Sequence, residues 1–229
     1  MLNKIFAAYK LGGVKLCYLL MSDSLTNGNK APLYLNECIS KTTEAQYKDT
    51  IENLYLFIEG RKLDLAHPVT FNEKIQWLKL YDSSELKTRL ADKFLVRKWI
   101  AEKIGEQYLV PIIGVYDCVE DINFDTLPNR FVLKANHGSG WNIIVKDKDK
   151  ANIDEIKDQL KKWLSTNFAF REGFELHYRD IKPRIIAEEY IDELGGYWII
   201  VSSVSMVLRN IVGWIKEVEQ IIILDPFMT

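Results

Sequence analysis

The chain is poor in cysteine and histidine, nearly balanced in charge, and has no long uninterrupted apolar run. Its three cysteines, Cys17, Cys38 and Cys118, stand far apart with no Cys-x-x-Cys pair. That pattern suits a reducing compartment better than a disulfide scaffold or a zinc site. The three histidines, His67, His137 and His177, include no pair at helical ligand spacing, so zinc hydrolysis is not expected. Thirty basic residues against 32 acidic ones leave a formal net charge of −2. No global basic field therefore points to nucleic acid or to an anionic membrane. Residues 5–21 are moderately apolar, but Lys10, Lys15 and the Gly12-Gly13 pair interrupt them. The expectation is an amphipathic helix on the domain or on a membrane surface. Neither a transmembrane helix nor a signal-peptide cleavage pattern is expected.

What the sequence does have is a strand-turn-strand pattern at Phe131–Lys146, FVLKANHGSGWNIIVK. Two short runs of β-formers flank Asn136-His137-Gly138-Ser139-Gly140, where glycine permits left-handed backbone and close ligand approach. Exposed N–H groups in such a turn make an anion-binding nest, and Lys134 beside it adds a point charge suited to phosphate. Neither G-x-x-x-x-G-K-[ST] nor G-x-G-x-x-G is present. An ordinary hairpin with a solvated lysine fits these residues equally well.

Around this centre, residues 22–42 are rich in turn formers and read as irregular. Residues 43–60 have helical periodicity, with Gly60 as a stop. Thr70-Phe71-Asn72-Glu73 matches a capping box, followed by a helix whose stripe of Ile75, Trp77, Leu78 and Leu80 is expected to pack in the core. Residues 91–100 read as one further helix, with Asp92 favourable near its start. A short β run broken by Pro111 follows, then the central hairpin, a helix over 153–166, and a strand over 184–191. The fold class is α+β. Residues 1–109 form a mainly helical region and 110–187 a lobe of strand, glycine loop, strand and helix. Residues 188–196 make a hinge strand and turn, and 197–229 an aberrant tail.

The segments FNEKIQWLKLYD, LADKFLVRKWI, FVLKANHGSG and KPRIIAEEYI occur in one order over about residues 50–192. Together this set resembles the ATP-grasp superfamily, and within it the TupA-like branch named for teichuronopeptide biosynthesis. The resemblance implies an ATP-grasp fold, incomplete at the C-terminus. It places Lys93 and Lys134 on the nucleotide phosphates, with Gly138, Ser139 and Gly140 as the loop that closes over them. Glu188, Glu189, Tyr190 and Ile191 become the hinge that reads adenine and ribose. His137 either touches phosphate or caps the turn, and with Trp141 it departs from the glycine-richer loops of relatives.

The implied reaction activates a carboxylate with ATP as an acyl phosphate for attack by an amine, in cell-surface polysaccharide or teichuronopeptide assembly. Its Mg2+ ligands lie after the hinge in the family and are not found in this chain, and no catalytic residue is assigned. The alternatives are a nucleotide-binding remnant without turnover, or a glycosyltransferase-associated polysaccharide module using Trp77, Trp99, Trp141 and Trp163. Helical spacing around three of those tryptophans favours packing over sugar contact. ATP and a carboxylate–amine substrate pair are the expected partners, with no nucleic acid. The expected location is the cytoplasm, with the inner face of the membrane as a variant of it.

After Gly196 the family pattern is lost. Read one base out of frame, the codons permitted from Tyr197 onward spell LDYSFFCFNG, similar to the strand that follows the hinge in this branch. A frame change near Gly195–Tyr197 is therefore expected, leaving a truncated chain.

Overall fold

A computed structural model describes residues 2–171 and 173–191. The expected tail, and the hinge beyond Ile191, lie outside the described residues.

Four strands form one antiparallel sheet in the order β1-β4-β2-β3: β1 (Ile112–Tyr116), β2 (Phe131–Ala135), β3 (Asn142–Val145) and β4 (Ile185–Glu189). The sequence dictates the two faces. In β2, side chains alternate, so Phe131, Leu133 and Ala135 are buried while Val132 and Lys134 face the other way. Register pairs Leu133 with Ala187 and Ala135 with Ile185, which puts these apolar residues on one shared face. Helix α7 (Ile153–Leu164) covers that face with Ile156, Leu160 and Trp163, and Asn152 caps its start by accepting from the Glu155 N–H. Its charged residues lie on the solvent side, as the sequence pattern requires.

The N-terminal region is helical: α1 (Leu2–Thr26), α2 (Lys30–Ser40), α3 (Tyr47–Glu59), α4 (Phe71–Tyr81), α5 (Glu85–Ala91) and α6 (Leu95–Ile104). Helix α1 is two helices in one. At Gly12 (φ −147°) and Gly13 (φ 63°, ψ −162°) the backbone leaves helical geometry, the second in a region open to glycine. The two halves fold back on each other, bringing the Cys17 thiol to the Ile5 carbonyl.

Three expectations are corrected. Residues 22–42 are not irregular throughout, since α2 forms there. Pro32 falls in its first turn, where proline is tolerated, and Ala31 and Ile39 are buried against neighbouring helices. The single helix over 91–100 is broken at Asp92–Phe94, because the Asp92 carboxylate accepts the N–H groups of Phe94 (2.8 Å) and Leu95 (3.1 Å) and restarts the helix. Trp77 is not a core residue. It is 38% exposed and leans on Tyr81 with ring centroids 5.2 Å apart. The capping box does form: Thr70 Oγ1 accepts from the Glu73 N–H, and the buried Glu73 carboxylate accepts from the N–H groups of Val69 and Thr70.

Candidate functional site

The face of the sheet opposite α7 carries charge. Lys134 on β2 and Glu188 on β4 both point there, and the Lys134 ammonium meets the Glu188 carboxylate at 2.5 Å. Arg97 of α6 reaches the other oxygen of Glu188 at 3.3 Å and also donates to the Val110 carbonyl. Lys93, in the break between α5 and α6, donates from its ammonium to the carbonyls of Ala135 (3.1 Å) and Gly138. Two lysines far apart in the chain therefore arrive at one strand end and one turn.

Their electrostatics are unbalanced. Lys93, Arg97 and Lys134 bring three cations against the carboxylates of Asp92 and Glu188. Burial pushes the Lys93 ammonium down to about 8, and the nearby Lys134 charge pushes the same way. An anion placed between the two lysines relieves that strain.

The turn itself is built for close approach. Gly140 has φ +69° and open space around it, and Ser139 and Gly140 are exposed. Gly138 is buried, and a Cβ there would fall 2.6 Å from the Trp141 ring. Trp141 anchors the turn from below. It stacks on Trp163 at 5.9 Å with the planes 6° apart, and Phe168 meets it edge-on at 5.1 Å. Its indole is buried, so it serves the turn as a foundation and does not face a sugar.

Several predicted residues fall differently from expectation. The ring of His137 is buried and reaches protein acceptors only, with Nε2 2.9 Å from the Trp163 carbonyl and Nδ1 3.1 Å from Asn136 Oδ1. A neutral ring has one N–H and donates it to one of these two oxygens. Burial keeps this ring below the usual histidine range, with Lys93 adding to the effect and the Trp163 carbonyl opposing it. His137 thus supports the turn rather than touching a phosphate in this conformation. The four hinge residues do not share one edge. Glu188 is enclosed by its cations, Glu189 is exposed, Tyr190 lies under the Arg130 guanidinium, and Ile191 is exposed. The Glu188 carboxylate is held by lysine and arginine here, not offered to a ribose.

Two contributors were not singled out from sequence. Arg97 lies four positions after Lys93, but its partner Glu188 is 91 residues away, so nothing local announces the pair. Asn136 is wholly buried. Its side chain donates to the Lys182 carbonyl and accepts from the Arg184 N–H, while its own carbonyl accepts from the Lys93 N–H. An asparagine directly before a glycine turn is the signal that was there to read.

A family model described as TupA-like ATPgrasp matches residues 73–197, more than half of the 229 residues. The chain belongs to the TupA-like ATP-grasp family. It is thus an ATP-grasp, ligase-like chain, of a family whose members bind ATP and Mg2+. No curated protein and no solved structure matches it. Within the TupA-like match lie the Lys93 turn, the whole β-sheet and the glycine turn. A groove of about 790 Å3 between β3 and α7 also falls inside it, but neither lysine lines that groove. Among the described residues no three acidic, histidine or cysteine side chains converge as a metal site, so the groups that would hold Mg2+ are not identified there.

Proposed function

We propose that this TupA-like chain binds ATP, with its phosphates on Lys93, Lys134 and the N–H groups of the Gly138–Gly140 turn. The observation that carries the reading is the convergence of the two lysines, with Lys93 depressed to about 8 by burial and by its neighbour. Two like charges brought together and partly dehydrated are costly unless an anion completes the site. Phosphate oxygens match that need, and exposed N–H groups in a glycine turn extend it. Val132 and Ile144, paired across β2 and β3 on the lysine side of the sheet, offer an apolar platform beside the charges.

Lys134 has three donors and needs only one for Glu188, so it bridges carboxylate and phosphate together. Glu188 and Arg97 then hold Lys134 in place, and Asn136 holds the backbone of Lys93. In this reading Glu189, Tyr190 and Ile191 border the nucleoside end of the site. ATP supplies the phosphoryl group that activates a carboxylate for attack by an amine. The setting we propose is cell-surface polysaccharide or teichuronopeptide assembly, supported by the family resemblance. The fit to Mg2+ is not met by the described residues, so no step is assigned to the metal. A second reading is nucleotide binding without turnover, which the same experiment separates from the first.

The test is ADP release by the purified 229-residue chain with ATP, Mg2+ and mixtures of carboxylates and amines. Amine-dependent ADP release that is lost in Lys134→Gln supports the ligase. ATP binding without any ADP release supports the second reading, and an absence of ATP binding removes both.

A further inference from the structure

The two halves of α1 carry apolar side chains that are exposed among the described residues. In the first half these are Leu2, Ile5, Phe6 and Tyr9, at the i, i+3, i+4, i+7 spacing of one helix face. In the second half they are Val14, Tyr18, Met21 and Leu25, again on one face. Phe6 is 56% exposed and Tyr18 67%. The inner sides are already satisfied, since Ala8 and Leu16 pack with Ala31 of α2. The stripes are therefore not used in the packing of the described residues. They also meet: Ile5 of one stripe and Met21 and Leu25 of the other line the same crevice of about 450 Å3.

Charge indicates what covers them. Residues 1–22 contain Lys4, Lys10 and Lys15 and no carboxylate. Lys4 donates to the Ile58 carbonyl, Lys10 lies over the Phe6 ring and Lys15 over the Tyr34 ring. None of those contacts neutralises the charge. A second copy of the hairpin would bring like charges together, whereas an anionic lipid surface offsets them. Aromatic and long aliphatic side chains beside lysines are the composition of an interfacial helix. By length and mean hydropathy α1 is also able to cross a bilayer. The break at Gly12–Gly13 halves it, and each half is too short to span.

We propose that the α1 hairpin docks the protein on an anionic lipid bilayer. The two stripes lie in the interfacial layer, Lys10 and Lys15 contact headgroup phosphates, and the chain rests on the membrane without crossing it. This inference stands apart from the ATP reading, because none of its residues belongs to the lysine site.

The experiment is sedimentation of the full chain with phosphatidylcholine vesicles and with phosphatidylcholine–phosphatidylglycerol vesicles. The expected result is partitioning onto the anionic vesicles, weakened by salt and weak on phosphatidylcholine alone. Lys10→Gln and Lys15→Gln should each lower it by about fivefold, the order expected for one charge at such a surface. The double variant Phe6→Glu, Tyr18→Glu should abolish it with an unchanged circular dichroism spectrum, because both side chains are already exposed. The proposal is overturned by no partitioning, by equal partitioning of the double variant, or by a dimer that the double variant dissolves without any vesicle binding.

Discussion

The ammonium of Lys93 donates to the main-chain carbonyl of Gly138, 45 residues further on. That bond ties the break between two helices to the glycine turn after β2. It places a partly dehydrated cation where the backbone is open to a ligand.

Because burial holds Lys93 at about 8, below its unfolded value near 10.4, its charge is lost early as pH rises. In the free protein this penalty is fully present below pH 8 and is relieved between about pH 8 and 10.4, where the unfolded chain binds more protons. A phosphate ligand raises the lysine's affinity for its proton. ATP binding at pH 8.5 is therefore expected to take up a fraction of a proton, and affinity should fall as pH rises through 8. Calorimetry in buffers of different ionisation enthalpy reads this directly. Proton release, or none, would contradict it.

The two outer glycines of the turn should respond differently to alanine. At Gly138 a Cβ lands 2.6 Å from the Trp141 ring and 3.0 Å from Phe168, so the aromatic foundation has to move. Overpacking of this kind costs about 1–3 kcal/mol. At Gly140 nothing is close, and only the left-handed backbone is penalised, by about 1 kcal/mol. Thermal unfolding should rank Gly138→Ala as the less stable variant. The reverse order would mean that Trp141 does not sit beneath the turn.

Glu188 neutralises two cations at once. Glu188→Gln leaves Arg97 and Lys134 facing an amide in a largely buried setting, a loss of about 3 kcal/mol. Chemical denaturation at neutral pH measures it. A change near zero would show that solvent already screens the pair.

Glu73 illustrates a purely structural carboxylate. Hydrogen bonds from the Thr70 backbone, and then the Arg61 guanidinium, hold its carboxyl down to about 2. Its stabilisation is present above the ordinary carboxylate range near pH 4.3 and is lost as pH falls toward 2. Glu73→Gln should be less stable than the parent at pH 7 and converge with it near pH 2. A constant gap across that range would rule out the charge as the cause.

What was legible in the sequence was mostly local. The capping box at Thr70, the stop at Gly60 and the strand-turn-strand at residues 131–146 depend on neighbours within a few positions, and each formed as read. The break at Asp92 was hidden because apolar periodicity runs straight through it. It is created by side-chain capping and by the Lys93 N–H reaching Asn136. Helix α2 was obscured by the turn formers before it, and its burial against other helices decided the matter. The enclosure of Glu188 could not be seen, since Lys134 and Arg97 lie 54 and 91 residues away. The sequence leaves His137 either touching phosphate or capping the turn, and its contact with the Trp163 carbonyl, 26 residues away on α7, has no local signal.

The most direct test is calorimetric titration of ATP into the purified chain, with Lys93→Gln and Lys134→Gln alongside. Glutamine keeps a hydrogen-bond donor at each position and removes the charge. The account predicts ATP binding by the parent and a loss of about tenfold or more in each variant, the scale of one charge-assisted hydrogen bond. Thermal unfolding of the free variants checks that both still fold. Equal affinity in the parent and both variants, or no binding by a folded parent, would contradict the assignment of this lysine pair to nucleotide phosphate.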